Sequence, residues 1–244
     1  MDKEKLFEDY RRKCVEREEV CGQGNPNANI LIIGKEPYGE AIDLTREREK
    51  YLKYLRKNYE NCRDHCFYRG TDDFSKLVTW QNYQKLIFAI YKGIEYNEYN
   101  KNIIDFERFA YTTELSSVPR PKSNYNLAKE MILKRLDFFK NSGFIQSFPV
   151  IILACGPYIK NIGDGENRQI DNTFGVTFRA EKFVTPTTEK ITSPTFRFYT
   201  HYNEDDSKLV IHNRQLSNFH GNGDQLLKEM ATVIRKHLKI EYYL

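Results

Sequence analysis

Asn25-Pro26-Asn27-Ala28-Asn29-Ile30-Leu31-Ile32-Ile33-Gly34-Lys35-Glu36-Pro37-Tyr38-Gly39 is the stretch from which the fold can be read. Its centre, 30–33, is an unbroken apolar run closed by Asn and Pro on one side and Gly34 on the other. A strand buried on both faces of a parallel sheet reads this way, whereas a strand with one wet face alternates. Directly after it come a glycine, a carboxylate, a proline and a tyrosine. In open α/β folds ligands bind outside the carboxyl ends of such strands, so Glu36 is placed for chemistry.

The rest of the chain repeats the alternation that this reading needs. Positions 106–112, 150–154 and 208–212 are the further core strands expected. Helical spacing is found at 5–21, 46–59, 80–91, 123–140 and 224–238. The helix at 80–91 is read as ending at Gly93, and that at 123–140 as ending at Gly143, with Leu127, Met131, Ile132, Leu136 and Phe139 on one apolar face. Alternating stretches at 173–184 and 195–202 read as hairpin strands. Strands alternating with helices imply a three-layer α/β/α fold around a central four-stranded parallel sheet. Its ligand edge would collect the loops at 35–38, 113–117 and 212–217.

The bulk numbers set bounds. A length of 244 residues suits a single domain spanning 1–244. Against 34 Asp and Glu stand 38 Lys and Arg, a net charge of +4, which is compatible with a polyanionic partner without requiring one. No apolar run is long enough to cross a bilayer, and Asp2-Lys3-Glu4-Lys5 is no signal peptide, so no membrane partner and a cytoplasmic location are expected. The five cysteines are an odd number and read as free thiols. Cys62-Arg63-Asp64-His65-Cys66, with Cys14 and Cys21, invites a metal reading, but the spacing matches no closed zinc pattern.

Gly34-Lys35-Glu36-Pro37-Tyr38, paired with His212-Asn213-Arg214-Gln215-Leu216-Ser217, resembles the uracil-DNA glycosylase superfamily. There Gly-Gln-Asp-Pro-Tyr follows the first core strand and His-Pro-Ser-Pro-Leu-Ser follows the last. Cys21-Gly22-Gln23-Gly24-Asn25-Pro26 is similar to the glycine-rich lead-in of that family's thermophilic iron–sulfur branch, and Phe74-Ser75 to its base-stacking Phe and following Ser. The likeness runs from about Val20 to Leu238. It has departures: Thr113 or Thr112 stands where the family has a base-reading Asn, Asn213 and Arg214 replace Pro and Ser, and Glu36 is one methylene longer than Asp. Ser117 replaces a cluster Cys, so no cluster is expected.

The resemblance implies a monofunctional DNA glycosylase of base-excision repair, acting as a monomer on duplex or single-stranded DNA, without metal or cofactor. Glu36 would supply the anion near the sugar and orient the water, and His212 would donate to the base oxygen. Lys35, Tyr38, Phe74 and Thr113 would line the base pocket. Ser116, Arg120, Lys122, Arg214 and Ser217 would contact DNA, with Leu216 as a wedge filling the hole left by the flipped base. The rival expectation is a superfamily member that binds nucleic acid or a nucleotide without cleaving it.

Overall fold

A computed structural model describes residues 2–37, 39–63, 78–93, 105–160, 167–184, 196–216 and 223–241. Its strands are β1 (Gln23–Gly24), β2 (Ile30–Gly34), β3 (Ala110–Glu114), β4 (Val150–Ala154), β5 (Thr177–Val184), β6 (Phe196–Tyr202) and β7 (Leu209–Asn213). The helices are α1 (Lys3–Arg17), α2 (Arg48–Asn61), α3 (Val78–Lys92), α4 (Tyr125–Lys140), α5 (Gly143–Gln146), α6 (Gln169–Phe174) and α7 (Gly223–Leu238).

All seven strands form one sheet in the order β1-β3-β2-β4-β7-β6-β5. The four expected strands are its parallel centre, with Ile30 opposite both Ala110 and Val150, and Leu153 opposite His212. The expected four-stranded parallel sheet is nevertheless corrected to a mixed, seven-stranded one. The β5–β6 hairpin adds on antiparallel through Tyr199 opposite His212, and β1 adds antiparallel on β3. Local alternation announces the hairpin; its docking on β7 depends on contacts distant in sequence. The β1 addition explains the glycine-rich lead-in. A side chain at Gly22 would place its Cβ 2.1 Å from the Thr112 carbonyl oxygen, so the close approach to β3 requires glycine there.

Strand side chains alternate between two cores. Leu31, Ile33, Tyr111, Ile151, Leu153 and Val210 pack with α1, α4, α5 and α6. Ile30, Ile32, Ala110, Val150, Ile152, Leu209 and Ile211 pack with α3 and α7. The sheet is thus covered by helices on both faces, which is why the central strands read as continuous apolar runs. The first helix belongs to the core: Phe7, Tyr10 and Cys14 are fully buried, while Val15 is exposed.

Two boundaries bear on the site. The second core strand starts four residues later than expected, because Phe106–Arg108 is a 3-10 turn, and it runs on to Glu114. The helix expected to end at Gly143 is capped at Asn141, after which Ser142 caps the short α5.

Candidate active site

Between β2 and β4 the strand order reverses direction: the chain leaves β2 for β3 on one side, and the next core strand, β4, lies on the other. Ligand crevices open at such a switch point, at the carboxyl ends of the strands. Glu36 follows β2 at this point, and Cys155-Gly156 follows β4. The loop after β2 is held by backbone bonds that continue the β2–β3 pairing. Leu115 N–H donates to the Gly34 carbonyl (3.0 Å), Ser116 N–H to Lys35 (2.8 Å) and Arg120 N–H to Pro37 (3.0 Å).

One Glu36 carboxylate oxygen is buried without a hydrogen-bond partner. Its neighbour is a residue the sequence reading passed over. Glu114, the half-buried last residue of β3, reaches across Gly34, where a Cβ would lie 2.1 Å from Glu114 Oε2. A side chain at Gly34 would displace the end of the Glu114 side chain. Glu114 Oε2 also lacks a partner. Burial, reinforced by the Glu36 charge and only partly offset by the Arg135 guanidinium, pushes the Glu114 carboxyl up to about 8. Burial, then the side-chain interaction with Glu36 and the Glu36 charge, raise the hydroxyl of Tyr158, and Lys35 Nζ lies 5.3 Å from the centre of the Tyr158 ring.

His212, next to last in β7, lies two strand spacings or about 10 Å from β2 along the same edge. Its Nε2 lies 2.8 Å from the Gly156 carbonyl, and because a carbonyl only accepts, that nitrogen carries the proton. Nδ1 is left buried and unpartnered, an acceptor. Burial pulls the imidazole down to about 4, so it is neutral at physiological pH. The expected donation from His212 to a base oxygen is corrected: its only N–H is spent on Gly156, and the free nitrogen accepts.

Other expected site residues lie elsewhere. Thr113 is buried on the opposite face from Glu114, its hydroxyl accepting from Arg135 Nη2 at 3.0 Å. Ser116 is buried with its hydroxyl against Met131 Sδ (3.4 Å). Leu216 is 0% exposed, packs in the α3–α7 core, and has its carbonyl held by Asn82 Nδ2 at 2.7 Å. A side chain so placed is a core anchor, and the wedge assignment is corrected accordingly. Lys122 and Arg214 are exposed and Arg120 half-buried, with the Arg120 backbone beside the Glu36 loop. Tyr38, Phe74 and Ser217 lie outside the described residues.

Arg135 is the second residue that the sequence reading missed. Fully buried within the apolar stripe of α4, it donates to Glu19 (2.7 Å), to Tyr10 (3.2 Å) and to the Glu114 carbonyl (3.2 Å). Its charge within the stripe Ile132, Leu136, Phe139 was the available signal. Cys14, Cys21 and Cys62 are buried in the same core, with Cys21 Sγ 3.4 Å from the Tyr111 hydroxyl; Cys66 is outside the described residues. Among the described residues, no group of three or more His, Cys, Asp or Glu is arranged to hold a metal ion, and no helix is long and apolar enough to cross a membrane.

A cavity of about 540 Å³ lies at the opposite sheet edge, lined among others by Arg168, Asp171, Phe178, Arg179 and Tyr202. Both arginines there are already paired, Arg168 with Asp171 and Arg179 with Asp206. The unpartnered acids sit instead at the switch point, which is the better candidate on chemical grounds. Compared with known proteins, the chain matches no family model and no curated protein.

Proposed function

We propose that this protein is an N-glycosidic hydrolase that releases a damaged or modified base from DNA, with Glu36 as its anion. The observation that carries the reading is the half-buried Glu36 carboxylate, with one oxygen buried and without a partner, at the switch point of a parallel sheet. The motif resemblance at Gly34-Lys35-Glu36-Pro37-Tyr38 and at His212 supports it. Breaking the bond between sugar and base develops positive charge on the sugar and negative charge on the base. A carboxylate fixed beside the sugar stabilises the first and orients the attacking water, without reorganising during reaction. His212 Nδ1 accepts a hydrogen bond from an N–H of the bound substrate. Lys122 and Arg214, exposed along the same edge, bind phosphate.

The second reading, a nucleic-acid binder without cleavage, draws on Thr113 and Leu216, both withdrawn into cores. Release of uracil, hypoxanthine, xanthine and hydroxymethyluracil from single-stranded and duplex oligonucleotides separates the two. The parent protein is expected to release at least one base, and Glu36→Gln to slow release about 10²-fold or more with DNA affinity and melting temperature retained. Binding without release of any base selects the second reading. Unchanged release by Glu36→Gln removes Glu36 from the chemistry.

A further inference from the structure

If His212 cannot donate, the departing base still needs a donor, and the described edge contains one. The acidic pair is asymmetric. Glu36 lies half-buried on the loop after β2, whereas Glu114 projects from the end of a strand across Gly34, half-buried as a residue but with one carboxyl oxygen fully buried. Each has an oxygen with no partner. Burial and a neighbouring negative charge both favour the protonated form of a carboxyl group. The groups facing Glu114 set the balance. The Glu36 charge comes from the loop after β2, the Tyr83 hydroxyl from α3, the Cys155 thiol from the end of β4, and on the opposing side the Arg135 guanidinium from α4. Only Arg135 favours the ionised form, and its nitrogens are occupied by Glu19, Tyr10, Thr113 and the Glu114 backbone carbonyl.

We infer that Glu114, set across Gly34 at the ligand edge with an unpartnered carboxyl oxygen, is a catalytic residue that donates a proton to a carbonyl oxygen of the departing base, so that the site selects oxo bases whose carbonyl adjoins a ring N–H. This rests on the hydrolase reading above. A neutral carboxyl presents one O–H donor and one carbonyl acceptor side by side, matching that edge, whereas an ionised one presents only acceptors. In the step, the bond between the sugar and the base nitrogen breaks and its electron pair stays on the base. The Glu114 proton moves to the base oxygen, leaving a neutral enol tautomer and a Glu114 carboxylate. Water adds its oxygen to the sugar carbon and gives one proton to Glu36. Transfer of that proton from Glu36 to Glu114 restores the starting state, so the net reaction consumes one water and no other reagent.

The test is the pH profile of base release from uracil- and hypoxanthine-containing single strands, with adenine- and cytosine-containing strands as the amino-base comparison. The parent is expected to release the oxo bases only, and to lose activity as pH rises through about 8, where Glu114 ionises. Glu114→Gln keeps a donor and an acceptor but has no proton to transfer. It is expected to release the same bases about 10²-fold more slowly, with the alkaline loss gone. Gly34→Ala is a second variant, which pushes the Glu114 carboxyl aside without altering it, and the same flattening is expected. Infrared difference spectra between the parent and Glu114→Gln give a readout independent of activity: the substitution is expected to remove the Glu114 component of the protonated-carboxyl band at neutral pH and to leave that of Glu107, whose carboxyl burial pushes up to about 7.

An active parent whose rate and alkaline limb survive Glu114→Gln overturns the inference and leaves the hydrolase reading standing. So does an active parent whose infrared band loses nothing on that substitution, or one that releases amino bases equally. A parent that releases no base overturns the hydrolase reading and this role with it.

Discussion

Thr113 and Glu114 are consecutive residues of one strand, and they meet opposite fates. Thr113 faces α1 and α4, where its hydroxyl, the Tyr10 hydroxyl, the Glu19 carboxylate and the Arg135 guanidinium are joined in one hydrogen-bonded network. Glu114 faces the other way, and its buried carboxyl oxygen has no partner. Burying a polar group without a partner costs free energy that the fold must recover elsewhere, so natural cores satisfy nearly all of them. A satisfied polar cluster holds structure together. An unsatisfied one at the edge where such sheets bind ligands is placed for chemistry, which is the reading proposed above. On this contrast, substitutions on the Arg135 side should change stability, and those on the Glu36–Glu114 side should change chemistry.

The largest effect that would break the comparison lies at Arg135. Arg135→Met keeps the apolar stem of the side chain but leaves the Glu19 charge, the Tyr10 hydroxyl and the Thr113 hydroxyl without their common partner. A loss of about 3–5 kcal/mol is expected, the scale for removing one member of a buried ion pair. It should appear as a lower denaturant midpoint with an unchanged slope. A loss below about 1 kcal/mol would place the network among weak surface pairs and undo the distinction.

Leu216 comes next. Buried in the α3–α7 core, it is expected to cost roughly 2–5 kcal/mol on truncation to Ala, the range for a buried leucine. Affinities for duplex and single-stranded DNA, measured below the unfolding transition, should fall together or not at all. Selective loss of duplex binding would return Leu216 to the DNA-facing side and take it out of the comparison.

These two residues also mark what was legible. The four central strands are readable because each is a short apolar run needing cover on both faces, and their parallel order follows from the helices between them. Glu36 and His212 are readable because each directly follows or ends such a run. Glu114 was not, because the preceding residues Phe106–Arg108 look strand-like but form a turn. Ending the strand two residues early turned Thr113 into a loop residue, and a one-residue change in a period-two element exchanges the faces. Leu216 was misread for a different reason. Its sequence offset places it on a loop, but only the Asn82 side chain, more than a hundred positions earlier, shows that the loop is drawn into the core.

The smallest expected effect is the most pointed. Thr113→Val removes one hydroxyl and almost no volume. Arg135 keeps its bonds to Glu19, Tyr10 and the Glu114 carbonyl, so the loss is that of the Thr113 bonds to Arg135 and to the Tyr10 hydroxyl, about 1–2 kcal/mol. If Thr113 belongs to the satisfied network alone, the ratio of release rates for uracil and hypoxanthine should be unchanged in Thr113→Val, since neither base meets the removed hydroxyl. If Thr113 reads the base, the same substitution leaves a base edge unpaired in the site, and the ratio should move by tenfold or more while stability changes no further. Such a change would mean that β3 presents both faces to the substrate, which the burial of Thr113 beneath α1 and α4 forbids in the folded protein.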